Sequence, residues 1–221
     1  MVRFSFLQAV YGASLRFQPF LAAALGGYLV GTFPTADVVA KRVSKGTVDL
    51  RLVGSGNPGG ANALKMLGRR AGYNVMAADI AKGALASVVG GLIGGPTGTH
   101  VGGTSSVIGH CFPIWTKFQG GKGVAASIGQ CLVTFPAYFP VDLVVAAATA
   151  SNPLLKQRAF TATLCSSSAW IIGGVVWWRK GLGNLWGPKP GPALPIAAIV
   201  SSAVIAYRFL TAQPPPQTAS Q

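Results

Sequence analysis

The chain has 221 residues, half of them apolar, with a mean hydropathy of +0.48 and a formal net charge of +14. Its 18 Lys and Arg face four acids, Asp37, Asp49, Asp79 and Asp142, and there is no Glu. So few and scattered acids exclude paired-carboxylate hydrolysis and clustered hard-metal sites. So few charges altogether cannot cover a soluble domain, in which about a quarter of residues are charged. A nucleic-acid module would be more polar and show a basic stripe. Basic charge on apolar bulk points instead to an integral membrane protein with its cations in loops. Cys111, Cys131 and Cys165 are spaced for neither a disulfide framework nor a zinc site, and read as small apolar residues inside helices.

In chain order, residues 1–19 mix Arg3 and Arg16 with apolar residues, which suggests an amphipathic helix on the membrane surface rather than a cleaved leader. Apolar runs long enough to span a bilayer are expected near 20–40, 73–94, 99–115, 123–138, 140–155, 159–178 and 191–210. The expectation is an all-α, polytopic integral membrane protein with about seven transmembrane helices, or six if the short runs flanking Pro140 merge. It forms one membrane-embedded domain over 1–212. The tail 213–221, with Pro214, Pro215 and Pro216, is expected to be disordered. Gly27/Gly31 and Gly90/Gly94 have the spacing that lets helices approach closely.

The 41–72 loop carries Lys41, Arg42, Lys45, Arg51, Lys65, Arg69 and Arg70, which places it on the inner side. Seven spans then put Lys117, Lys122, Lys156, Arg158 and Arg208 on the same side, opposite Arg3, Arg16, Arg179, Lys180 and Lys189. The N-terminus is expected outside and the C-terminus inside.

Two glycine-rich segments fall on the inner side. The first is Gly54-Ser55-Gly56-Asn57-Pro58-Gly59-Gly60-Ala61-Asn62, preceded by Asp49-Leu50-Arg51. The second is Gly109-His110-Cys111-Phe112-Pro113, continuing through Lys117-Phe118-Gln119-Gly120-Gly121-Lys122-Gly123. Successive glycines let backbone N–H groups converge on an anion, and a helix starting after each loop would aim its positive end there. The pair reads as a site for one or two phosphate groups. Gly54-x-Gly56-x-x-Gly59 formally matches a dinucleotide fingerprint, but no alternation of strands and helices surrounds it. Lys122 is followed by Gly123 rather than Ser or Thr, so the second segment is not a P-loop.

Asp79 and Lys82 lie three apart inside an apolar run and share a helix face. Charges there are costly unless paired or facing a polar cavity, so they read as an ion pair or as an anion contact through Lys82. His100 is expected to face outward in a Gly/Thr loop without a role. His110 abuts the second glycine segment and reads as a structural histidine, a general base or a phosphate ligand.

These segments resemble the first two motifs of the bacterial acyl-phosphate-dependent glycerol-3-phosphate acyltransferases, the PlsY family. Gly54–Asn62 with Asp49-x-Arg51 resembles its GSGNxGATN motif, Gly109–Gly123 its GHxFPxxxxFxGGKG motif, and Asp79–Gly83 the DxxKG between them. Gly31-Thr32-Phe33-Pro34 matches its GSxP with Thr32 for Ser. The match runs from about residue 25 to 130. The third motif, HRxNIxRL, is missing, and its nearest echo is Tyr207-Arg208.

The resemblance implies an integral enzyme of a bacterial inner membrane, with its site facing the cytoplasm and without metal or cofactor. Its partners would be acyl phosphate, glycerol 3-phosphate and membrane lipids, but no nucleic acid. It would transfer the acyl chain to glycerol 3-phosphate and yield lysophosphatidic acid. His110, Lys122 and Asn57 are then the expected catalytic residues. Thr32, Arg51, Ser55, Gly56, Asn62, Lys82, Lys117, Gly120, Gly121 and Gly123 are expected to bind substrate. In this reading the first loop and Lys122 hold the donor phosphate, and Arg51 and Lys117 hold the acceptor phosphate. His110 is the base, and N–H groups of Gly120–Gly123 stabilise the oxyanion. Cys111 would matter only if an acyl-enzyme formed. The missing motif keeps a second reading open, a non-catalytic homologue serving as a subunit of another membrane enzyme.

Overall fold

The computed structural model describes residues 2–155 and 157–212, with side chains from Phe17 onward. Lys156, the 213–221 tail and the side chains of Arg3 and Arg16 lie outside the described residues. The elements are α1 (Val2–Gly31), α2 (Thr35–Val43), α3 (Gly60–Leu67), α4 (Arg69–Cys111), α5 (Val124–Thr134), α6 (Phe139–Ser151), α7 (Arg158–Lys180) and α8 (Ala193–Thr211). Among the described residues no strand occurs, so the stretch before the first glycine loop is not a dinucleotide-binding strand.

The helix boundaries follow local chemistry. α1 runs without interruption through Pro19 to Gly31, so no boundary separates 1–19 as an interfacial helix of its own. The expected 20–40 span also ends early, because Pro34 follows Thr32-Phe33 and the chain restarts as α2. Residues preceding proline are driven out of the helical region.

α4 consists of two limbs. Gly94 has φ −125° and Gly95 φ +63°, a conformation that glycine alone adopts freely. Pro96 then opens the second limb, where its missing N–H costs nothing. The expected runs 73–94 and 99–115 are therefore a helical hairpin that ends at Cys111. His100 belongs to its second limb and is 4% exposed. The expectation of an outward-facing loop histidine is wrong because Pro96 restarts the helix before it.

Glycines bring the backbones together. A Cβ on Gly27 or Gly31 of α1 would strike Gly102 or Ser106 of α4, and one on Gly90 would strike the Gly98 carbonyl across the hairpin. Gly83 of α4 abuts Ala126 of α5 in the same way. In lipid, where apolar burial between helices gains little, such close packing supplies much of the association. A buried polar stitch adds to it: Gln130 donates to Thr104 (3.0 Å) and accepts from Ser201 (2.8 Å), joining α5, α4 and α8.

The fold is an all-helical integral-membrane architecture. α4, α7 and α8 are each long and apolar enough to cross a bilayer, and α5 and α6 are shorter apolar helices. The C-termini of α1, α4 and α8 and the N-terminus of α5 meet at one end, where the site lies.

Candidate active site

At that end an open cleft is lined by Thr32, Asp37, Arg51, Lys82, His110 and Gly121, among others. It lies between the Thr32–Pro34 break, the first limb of α4 and the second glycine segment.

Its floor is a buried charge cluster. Lys82 Nζ lies 2.9 Å from Asp79 Oδ1 and donates to the Phe33 carbonyl at 3.1 Å. His110 Nδ1 stands 3.5 Å from the same carboxylate oxygen. The Asp79 side chain is 2% exposed, Lys82 8% and His110 7%. Asp79 and Lys82 therefore form a buried ion pair, and the lysine also lines the cleft. Asp79 thus lies beside Nδ1, while Nε2 lies against Gly121.

Arg51 closes one wall. Its guanidinium grips Asp37 with two bonds, at 2.6 and 3.1 Å, and its Nε donates to the Gln119 carbonyl at 3.0 Å. Burial alone would loosen its proton, but the bond to Asp37 and the charges of Asp37 and Asp49 outweigh this, so Arg51 is held more firmly charged than usual. Asp37 is the residue that the sequence reading missed.

The second glycine segment folds back on the end of α4. Gly121 N–H donates to the His110 carbonyl (3.1 Å) and Gly120 N–H to the Cys111 carbonyl (3.2 Å). Helix C-termini leave such carbonyls without partners, and these glycines supply them. The oxyanion role expected of the Gly120 and Gly121 N–H groups is thereby corrected, since both donors are already committed. Gly123, at φ +87°, turns the chain into α5.

The first glycine segment is a scaffold more than a cradle. Asn62 is 2% exposed and donates to the Leu50 and Val53 carbonyls (2.9 and 3.0 Å). It also accepts the Ser55 N–H at 3.0 Å. Its side chain ties the 50–55 turn together, with no group left for a ligand. Thr32 lines the cleft, but its hydroxyl donates to the Leu29 carbonyl and accepts from the Trp115 indole.

The structure therefore gathers Thr32, Arg51, Lys82, His110, Gly120 and Gly121 around one cleft. Ser55, Gly56, Asn57, Asn62, Lys117, Lys122 and Gly123 lie outside its lining. Lys117 is exposed in a left-handed turn. Lys122 stands 4.2 Å above the Phe209 ring, on the α8 side of the second segment. Its pKa is lowered by burial and by the nearby Arg208 charge. Cys111 is fully buried in an apolar cluster with Val107, Ala126 and Ile205, which leaves no accessible thiol for an acyl-enzyme. Among the described residues no cluster of His, Cys, Asp or Glu suits a metal ion.

Fold and cleft together define a polytopic membrane protein with a cleft of paired charges at one end of its helices. Comparison with known proteins makes this specific. A family model described as glycerol-3-phosphate acyltransferase matches residues 21–212. A glycerol-3-phosphate acyltransferase of Maricaulis maris is 36% identical over 159 residues, covering 72% of this chain and 71% of that one. One from Thermoanaerobacter pseudethanolicus is 32% identical over 157 residues, covering 71% and 77%. The crystal structure of PlsY (YgiH), an integral membrane glycerol 3-phosphate acyltransferase in its glycerol 3-phosphate form, superposes with a TM-score of 0.68. It is 27% identical, with 88% of this chain and 94% of that chain covered. Its lysophosphatidic acid form gives a TM-score of 0.66. The chain belongs to the glycerol-3-phosphate acyltransferase family.

Proposed function

We propose that this protein transfers an acyl group from acyl phosphate to glycerol 3-phosphate at the cytoplasmic face of a bacterial inner membrane. The acceptor hydroxyl oxygen bonds to the acyl carbonyl carbon, the carbon–oxygen bond to phosphate breaks, and inorganic phosphate leaves. The products are lysophosphatidic acid and phosphate. The proton of the hydroxyl passes to the His110 imidazole, or to the departing phosphate, which carries a basic oxygen of its own. Acyl phosphate is a mixed anhydride with a good leaving group, so no covalent enzyme intermediate is required.

One observation carries this reading: His110 shares a cleft with Lys82 and Arg51, and its Nδ1 stands beside Asp79. The two cations suit an anionic acceptor, and the imidazole beside them is the group in this cleft suited to take a proton. The exposed rings of Phe33 and Trp115 near the cleft offer apolar surface for the acyl chain. Lys122 and Lys117 lie beyond the cleft and fit phosphate binding from the loop's outer side.

The test is acceptor-dependent phosphate release by the purified protein. His110→Ala is expected to lower kcat by roughly 10²- to 10⁴-fold, the usual value of a positioned base. No release from wild type with both substrates present would overturn the acyltransferase reading. Full activity in His110→Ala would move the proton to the substrate phosphate.

Lys122 gives a pH signature. Its lowered pKa means that donor attraction is complete below the folded-state pKa and is lost as pH rises through it, below the ordinary lysine range. The KM for acyl phosphate is expected to climb on that alkaline limb, and Lys122→Arg should move the climb to higher pH. Superimposable KM–pH profiles for the two proteins would remove Lys122 from donor binding.

A further inference from the structure

Arg208 lies in the last turn of α8 and is half-buried. It forms no ion pair among the described residues. Its Nε donates to the Gly121 carbonyl at 3.2 Å and its Nη2 to the Gly120 carbonyl at 2.6 Å. The guanidinium also stands 5.5 Å from the Phe112 ring centre. From the other side Arg51 donates to the Gln119 carbonyl. Consecutive carbonyls at 119, 120 and 121 thus each receive an arginine donor, from elements far apart in sequence. The Gly120 and Gly121 N–H groups are meanwhile spent on the end of α4. Both edges of these peptides are fixed, and the residues on either side of the fixed unit are His110, against Gly121, and Lys122, next in the chain.

We propose that Arg208 is a positioning residue for acyl transfer: it clamps the Gly120–Gly121 peptides onto the end of α4 and so sets His110 and Lys122 relative to each other. The inference rests on the acyl-transfer reading above. One planar fork reaching two adjacent carbonyls is a geometry that arginine offers and lysine, a single point donor, does not. A carbonyl-bound guanidinium keeps its charge unneutralised, so the clamp also adds positive potential beside Lys122 without a carboxylate to repel phosphate. The last helix is thereby tied to the reaction without touching the reacting atoms.

The experiment compares Arg208→Lys, Arg208→Met and Arg208→Ala with wild type in detergent solution. Misplacing catalytic groups by about an ångström costs roughly 10²-fold. All three variants are therefore expected to lose roughly ten- to a hundred-fold in kcat, with KM for glycerol 3-phosphate changed less than threefold. Added guanidinium ion should restore part of the kcat of Arg208→Ala and none of that of Arg208→Met, whose side chain fills the space. Amide hydrogen exchange over 117–123 should quicken in every variant while exchange in α7 stays as in wild type. Wild-type kcat in Arg208→Lys would overturn the clamp, as would a loss confined to KM, which would make Arg208 a substrate ligand. Unchanged exchange over 117–123 would overturn it whatever the activity. An inactive wild type with quickened exchange in the variants would instead overturn the acyl-transfer reading and leave the clamp standing.

Discussion

Asp79→Asn is expected to lower the thermal unfolding midpoint by about 10 °C and to reduce kcat at least about 100-fold. The carboxylate is 2% exposed and serves Lys82 and His110 together. Without it, Lys82 keeps only the Phe33 carbonyl, and a buried ammonium faces a neutral amide. Removing one partner of a buried pair costs about 3–5 kcal/mol, because the other charge stays desolvated. In a protein of this size that corresponds to about 2–4 °C per kcal/mol. His110 loses the charge that orients its ring, so activity falls further than stability alone requires. The double variant Asp79→Leu, Lys82→Met separates the two effects. Removing both ions costs less than orphaning one, so it should melt above Asp79→Asn while remaining inactive. A double variant that melts no higher than the single one would sink the buried-pair explanation.

The same cluster shows what could be read from the sequence and what could not. Apolar run lengths placed the helices, with the gap between 73–94 and 99–115 falling at the kink of α4, because run length is a local signal. The glycine segments and their order carried the family, and Asp79-x-x-Lys82 announced a paired charge through helix periodicity alone. The failures at the site are non-local. Asp37 reaches Arg51 only because the chain turns between α2 and the first glycine segment, and no spacing rule encodes that contact. Arg208 is 87 residues from Gly121. Glycine runs look like free N–H donors until the partners of those donors are known. Here the end of α4 takes the donors of Gly120 and Gly121, and the arginines hold the carbonyls on the other edge. Asn62 reads as a ligand for the same reason. A polar side chain in a glycine loop can bind a phosphate or hold the loop, and only its hydrogen bonds decide.

Gly121→Ala is expected to lower kcat by about 100-fold or more while the protein still folds. A Cβ at this position would overlap the His110 imidazole at Nε2, with Cε1 at 2.9 Å and Cδ2 at 3.1 Å. The backbone cannot retreat easily. Gly121 N–H is bound to the His110 carbonyl, and its own carbonyl is held by Arg208. The ring must therefore swing out of the orientation that Asp79 imposes, and a base displaced by an ångström loses about two orders of magnitude. Gly120→Ala should fare worse, because its Cβ would meet the His110 carbonyl and the Cys111 carbonyl at 2.7 Å, backbone atoms that cannot rotate aside. Loss of folded protein is the expected result there. Gly183→Ala is the control, since nothing lies within 4 Å of its Cβ. Phosphate-release kinetics with a melting curve for each variant decides the matter. Gly121→Ala with kcat within threefold of wild type would mean that the His110 orientation does not limit the reaction.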